Sequence, residues 1–133
     1  MTTARLHNSR VSNLPAIQCL EQIAHHTLST IPESLKEHAK KIRIVVENYA
    51  DKETLHSLRI DDKYELLGLY RGTPIPIKAV FGHSTLPDSI LLYRCPLIRY
   101  SLENKESIET LVQHVMMHEL GHHFGYSSNN EKW

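Results

Sequence analysis

Hydrophobic spacing divides the chain into a helical beginning, an extended middle and a helical end. Ile17, Leu20, Ala24, Leu28 and Ile31 recur at three- or four-residue steps, which predicts an amphipathic helix. Asn13 is placed to cap it, Pro15 falls in its first turn, where a missing N–H does no harm, and Pro32 ends it. A short helical turn is expected over Glu33 to Ala39. From Lys41 to Tyr49 the period drops to two. Ile42, Ile44 and Val46 point one way and Arg43 and Glu47 the other, as in a half-buried strand. Further strands are expected over Glu65 to Arg71 and Ser89 to Cys95. Between them Gly72, Pro74, Pro76, Gly82 and Pro87 enforce a long irregular connection, with a short edge strand at Ile75 to Phe81. The last element is a helix from Lys105 to Phe124, capped by Asn104 and ended by a left-handed turn at Gly125. Helix, strands, helix in that order predicts an α+β domain with helices packed on one small sheet.

Length and charge narrow this further. At 133 residues one core serves the whole chain, so 1–133 is expected to be a single domain with residues 1–12 as a loosely held leader. Fifteen basic residues balance fifteen acidic ones, and no basic excess points to nucleic acid or an anionic membrane. No run is apolar for long enough to cross a bilayer, and the polar stretch Met1 to Asn13 does not read as a secretory signal. The expected location is therefore cytoplasmic. Cys19 and Cys95 are far apart and belong to no metal-type pair, so both are expected as free, buried or semi-buried thiols.

Chemistry is concentrated in His118-Glu119-Leu120-Gly121-His122. Residues four apart on a helix differ by roughly 40° in azimuth and about 6 Å along the axis, so two imidazoles at that spacing can converge on one ion. Zinc favours such nitrogen ligands. Glu119, beside the first histidine, stands where a general base for a metal-activated water is needed. The expected roles are metal ligand for His118 and His122 and catalytic base for Glu119. Ile108, Leu111, Val112 and Val115 share the motif's face, while Met117, Leu120 and Phe124 lie elsewhere, which predicts a helix buried on several sides with Met116 and Met117 in the core. With ten histidines in the chain, a chance pair is the competing reading. The continuation His122-His123-Phe124-Gly125 argues against it, because a glycine three residues past the second histidine lets the chain turn back to the metal, as in metzincin-type sites.

A third ligand is left open among Ser128, Glu131 and water. Ser128 stands at the metzincin spacing but is a poor neutral ligand, and Glu131 has the chemistry at a different spacing. His114 is too far, about 12 Å along the axis from His122, and is read as a packing or supporting residue. Up to Trp133 no later helix is expected to bring a glutamate as in thermolysin-like enzymes, nor a methionine turn. Tyr70, Tyr93 and Tyr126 are candidate oxyanion donors, Tyr126 first because it follows the turn at Gly125, although packing at a strand or helix end is the commoner role for tyrosine. His83 is a candidate substrate contact. His7, His25, His26, His38 and His56 read as surface or hydrogen-bonded side chains.

The chain resembles the small bacterial minimal zincin (metallopeptidase-like) family, from about Ile31 to Ser128. The resemblance rests on Ile44-Val45-Val46-Glu47, on Leu66 through Pro74, on Pro87-Asp88-Ser89-Ile90 running into Leu92-Tyr93-Arg94, and above all on His118 through Gly125. It implies a compact zincin-like core with the active-site helix at the C-terminal end. It also implies a Zn²⁺ cofactor and a peptide or protein substrate, whose strand pairs with a sheet edge near the metal. The family pattern has aspartate where this chain has Ser128 and commonly glycine where it has Cys95. The expected function is a zinc metallopeptidase. The departure at Ser128 motivates the alternative, a catalytically weak or inactive metal- or peptide-binding module.

Overall fold

Two helices lead into the sheet in the computed structural model, which describes residues 14–72 and 87–125. Helix α1 (Ile17–Ser29) turns Leu20 and Ala24 wholly inward, and Ile31 just beyond it is also buried, whereas Ile17 is exposed. Pro15 precedes the helix rather than lying in its first turn, because Ala16 is the cap residue and makes no side-chain cap bond. Thr30 closes α1, and Pro32 becomes the cap residue of α2 (Glu33–Ala39). The leader 1–12, the Asn13 cap, the edge strand Ile75 to Phe81, and residues His7, His83, Tyr126, Ser128 and Glu131 lie outside the described residues.

The period-two segment forms β1 (Arg43–Glu47), followed by a short helix α3 (Lys52–Ser57), a 3₁₀ turn at Lys63–Glu65, β2 (Gly68–Arg71) and β3 (Ser89–Tyr93). In the sheet β3 lies between the other two, parallel to β1 with Val45 opposite Leu91 and antiparallel to β2 with Leu69 opposite Leu91. A central strand is covered on both faces, which is why Ile90-Leu91-Leu92-Tyr93 is apolar without alternation. Ile90 and Leu92 join the main core with Leu20, Val112, Val115 and Met116. Leu91 and Tyr93 face the other way, against Ala50, Leu66, Leu55 and Ile60. The expected α+β domain is found, with α1 and the final helix on one face of the sheet and the α3 segment on the other.

Strand β1 is two residues shorter at each end than the expected Lys41 to Tyr49, and three further boundaries differ, each for a local reason. The second strand starts at Gly68 rather than Glu65, since Asp62 accepts from the Tyr64 N–H (2.9 Å) and folds Lys63–Glu65 into a turn. The third strand stops at Tyr93, and Arg94–Asn104 forms a helix, α4, that the apolar pattern did not suggest. Pro96 is compatible with it because the first turn needs no N–H there, and Leu97 is fully buried. Lys105, at φ 52°, ends α4, so Asn104 closes one helix instead of opening the next. Ser107 caps the motif helix α5 (Ile108–His123), its Oγ accepting from the Thr110 N–H at 3.1 Å. Gly125 takes the expected left-handed conformation, φ 95°. Cys95 is half-buried as expected but Cys19 is exposed; both are free thiols. No described helix is long and apolar enough to cross a membrane.

A close approach brings β2 onto the motif helix. A Cβ at Gly68 would lie 2.6 Å from Val115 Cγ1 and 3.2 Å from the Leu91 carbonyl oxygen. Gly68→Ala must therefore push α5 away from the strand. The expected cost is about 1–3 kcal/mol, seen as a lower urea midpoint at unchanged slope.

Stability also has an alkaline limit set on the sheet's other face. Burial pushes the Tyr93 phenol up to about 12, with the Arg71 guanidinium opposing and the Glu47, Asp51 and Glu119 carboxylates adding to it. A tyrosine whose folded value is raised contributes stability that is fully present below its unfolded value, about 10, and lost as pH rises through the folded value. Urea unfolding at stepped pH should show that decline between about pH 10 and 12, and Tyr93→Phe should make it shallower, leaving the part that the raised Tyr70 phenol contributes. An equally steep decline in the variant would locate the effect elsewhere.

Candidate metal centre

Helix α5 presents two different sides. Leu111, Val112, Val115, Met116 and Leu120 are buried in the main core, and Glu119 and His123 lie on the same side, 1 % and 2 % exposed. Met117 is 51 % exposed and His114 is exposed, so the helix is amphipathic rather than buried all round, and of the two adjacent methionines only Met116 is core. His118 and His122 are half-buried, at the border between these sides. A border position lets an imidazole reach a site that is sheltered by the core yet open to a substrate.

The structure brings the three motif residues together. The His118 and His122 rings lie 5.2 Å apart at 65°, and His122 Nε2 is 4.0 Å from Glu119 Oε1. One ligand atom from each of His118, Glu119 and His122 lies within 4.8 Å of the others. The Nε2 atoms of both histidines and Oε2 of Glu119 are shielded from solvent. Two converging, sheltered imidazole nitrogens are donors that suit zinc, and a carboxylate beside them stands where a base for a metal-activated water is needed. By this test the residues fit the metal that the motif implies.

Glu119 is anchored from the sheet. Its Oε1 accepts the backbone N–H of Tyr70 at 2.9 Å. Among the described residues β2 is an edge strand, and that amide lies on the side away from β3. The phenol of Tyr70 then reaches His123, one helical turn beyond Glu119, with its oxygen 2.9 Å from Nδ1 and the rings meeting edge-on at 5.5 Å. His123 Nε2 faces the His38 carbonyl oxygen at 3.1 Å. A carbonyl only accepts, so Nε2 carries a hydrogen. Asp88 is buried beside them, Oδ2 3.6 Å from His123 Nδ1. Burial, reinforced by the Asp88 carboxylate, holds the Tyr70 phenol well above its ordinary value, so it remains a donor. A Cβ at Gly72 would collide with Asp88 Oδ1 and come within 3.0 Å of its Cα, which explains a glycine where β2 ends.

This arrangement decides between several sequence expectations. Tyr70 turns its hydroxyl toward His123 and Asp88 instead of serving as an oxyanion donor, and Tyr93 lies on the far face of the sheet. His25, His26, His38 and His56 are exposed, and His38 matters through its carbonyl alone. The sequence alone assigns no role to His123 or Asp88. The one available signal was the spacing of Glu119 and His123, four apart and hence on one side of the helix.

No curated protein matches the chain. The family described as zincin-like metallopeptidase matches residues 39–130, a span running from the end of α2 through the sheet and the whole of α5. Fold, clustered histidines and this match agree: the chain belongs to the zincin-like metallopeptidase family.

Proposed function

We propose that the protein is a zinc-dependent peptidase in which His118 and His122 hold the metal and Glu119 is the general base. The observation that carries this reading is the convergence of His118, Glu119 and His122 within 4.8 Å in a chain of this family. The chemistry zinc supplies when bound is Lewis acidity, toward a carbonyl oxygen and toward a water. The protein's own part lies with Glu119. Its Oε1 is engaged by the Tyr70 amide, so proton uptake is assigned to Oε2, from which the proton passes to the leaving amine. The half-buried histidine rings and buried carboxylate hold this exchange in a site partly screened from water, where electrostatic interactions are stronger. The substrate is a peptide or protein.

A second reading is a metal- or peptide-binding module that does not cleave, favoured by Ser128 standing where the family pattern has aspartate. One experiment separates the two. The purified protein is assayed for zinc content and incubated with a diverse peptide mixture, with and without a chelator. The peptidase reading expects one zinc per chain and cleavage that the chelator stops. One zinc without chelator-sensitive cleavage leaves the binding module, and absence of bound zinc sinks the peptidase and the metal-binding module, leaving peptide binding alone.

A further inference from the structure

Tyr70 is tied to the motif helix at two points one turn apart. Its amide donates to Glu119 and its phenol meets His123, which is itself fixed on its other side by the His38 carbonyl. A strand amide can hold a carboxylate oxygen in place only if the strand itself is held. Among the described residues β2 pairs with β3 on one side alone, and the phenol supplies a second tie. We infer that Tyr70 and His123 are positioning residues for Glu119: the Tyr70–His123 contact pins the edge strand to α5, so that the Tyr70 N–H fixes Glu119 Oε1 and turns Oε2 toward the reaction. The inference rests on the base role proposed for Glu119. It also has a consequence for substrate binding, since the Tyr70 N–H is committed to Glu119 and an added strand must find its donors elsewhere along the edge.

The test reads the tie itself as well as catalysis. Amide hydrogen exchange of the metal-free protein is followed residue by residue, using the Tyr93 N–H, which donates to the Leu67 carbonyl at 3.0 Å in the same sheet, as reference. In Tyr70→Phe and in His123→Leu the residue 70 N–H is expected to exchange about tenfold faster relative to the Tyr93 N–H. His123→Asn, which keeps an acceptor where Nδ1 stood, should recover part of that protection. In the zinc-loaded protein the same two losses should lower kcat by about tenfold or more with KM little changed. Unaltered protection at residue 70, or protection lost only in step with Tyr93, overturns the inference, as does an unchanged kcat. A parent protein that cleaves nothing removes the peptidase reading instead, and the exchange measurement then decides the tie alone.

Discussion

Glu119→Gln should bind zinc as tightly as the parent and lose about 10²- to 10⁴-fold in turnover, the range ascribed to a positioned general base. The substitution is conservative in a specific sense. Gln retains an oxygen where Oε1 accepts the Tyr70 N–H, so the edge strand stays tied to α5, while the oxygen assigned to proton uptake is replaced by an amide that has no basicity. Glu119→Ala differs by one further loss. It leaves the Tyr70 N–H without its acceptor in a partly buried place, at a cost of up to about 1–3 kcal/mol. Melting temperature, zinc affinity by chelator competition and kcat/KM on a cleaved peptide separate the two variants. Gln should be inactive at parental stability and Ala inactive and less stable. Cleavage by Glu119→Gln at the parental rate would show that Glu119 is not the base.

What could be read from the chain divides along the range of the interactions involved. His118, Glu119 and His122 were legible because helical geometry alone places them, and α2 because seven helix-compatible residues stand between Pro32 and the strand. The period-two residues around Ile44 were legible too, since Arg43 and Glu47 stay exposed on one face of β1 while Ile44 and Val46 join the main core on the other, even though Val45 packs against the second cluster. Helix α4 was not. Its apolar content is modest, its first turn contains a proline, and it follows a strand with no intervening loop, so the boundary at Tyr93 leaves no turn signal. The cap expected at Asn104 falls with it, because Asn104 is the last residue of α4 and Ser107 caps α5 instead. The supporting half of the site was hidden for a different reason. Tyr70 and His123 are 53 residues apart and His123 and His38 are 85 apart, separations at which no spacing rule operates. Gly68 shows the same limit, since its need for a hydrogen side chain appears only once Val115 is laid against it.

His122 and His123 are neighbours in sequence yet should fail in opposite ways when changed to alanine, and this gives the second large effect. Zinc that binds the folded chain alone adds about 2.7 kcal/mol at a hundredfold excess over its dissociation constant. For a chain of this length that raises the melting temperature on the order of 10 °C. His122 is half-buried and positioned toward His118 and Glu119, so His122→Ala should leave the metal-free melting temperature near the parental value. Its zinc affinity should fall by more than the roughly 10- to 100-fold that loss of a supporting contact costs, and with it the zinc-dependent rise in melting temperature. His123 is 2 % exposed and joins Tyr70 to the His38 carbonyl, so His123→Ala removes a buried ring from a hydrogen-bonded network. It should lower the metal-free melting temperature while keeping a zinc-dependent rise. Calorimetry on both variants, each with chelator and with zinc, makes the comparison. If His122→Ala retains the full rise, the ion is not held by the pair one turn apart on α5. If His123→Ala loses the rise but not the metal-free stability, the roles of the two neighbours are exchanged, and the ligand set must be redrawn around His123, Asp88 and Tyr70.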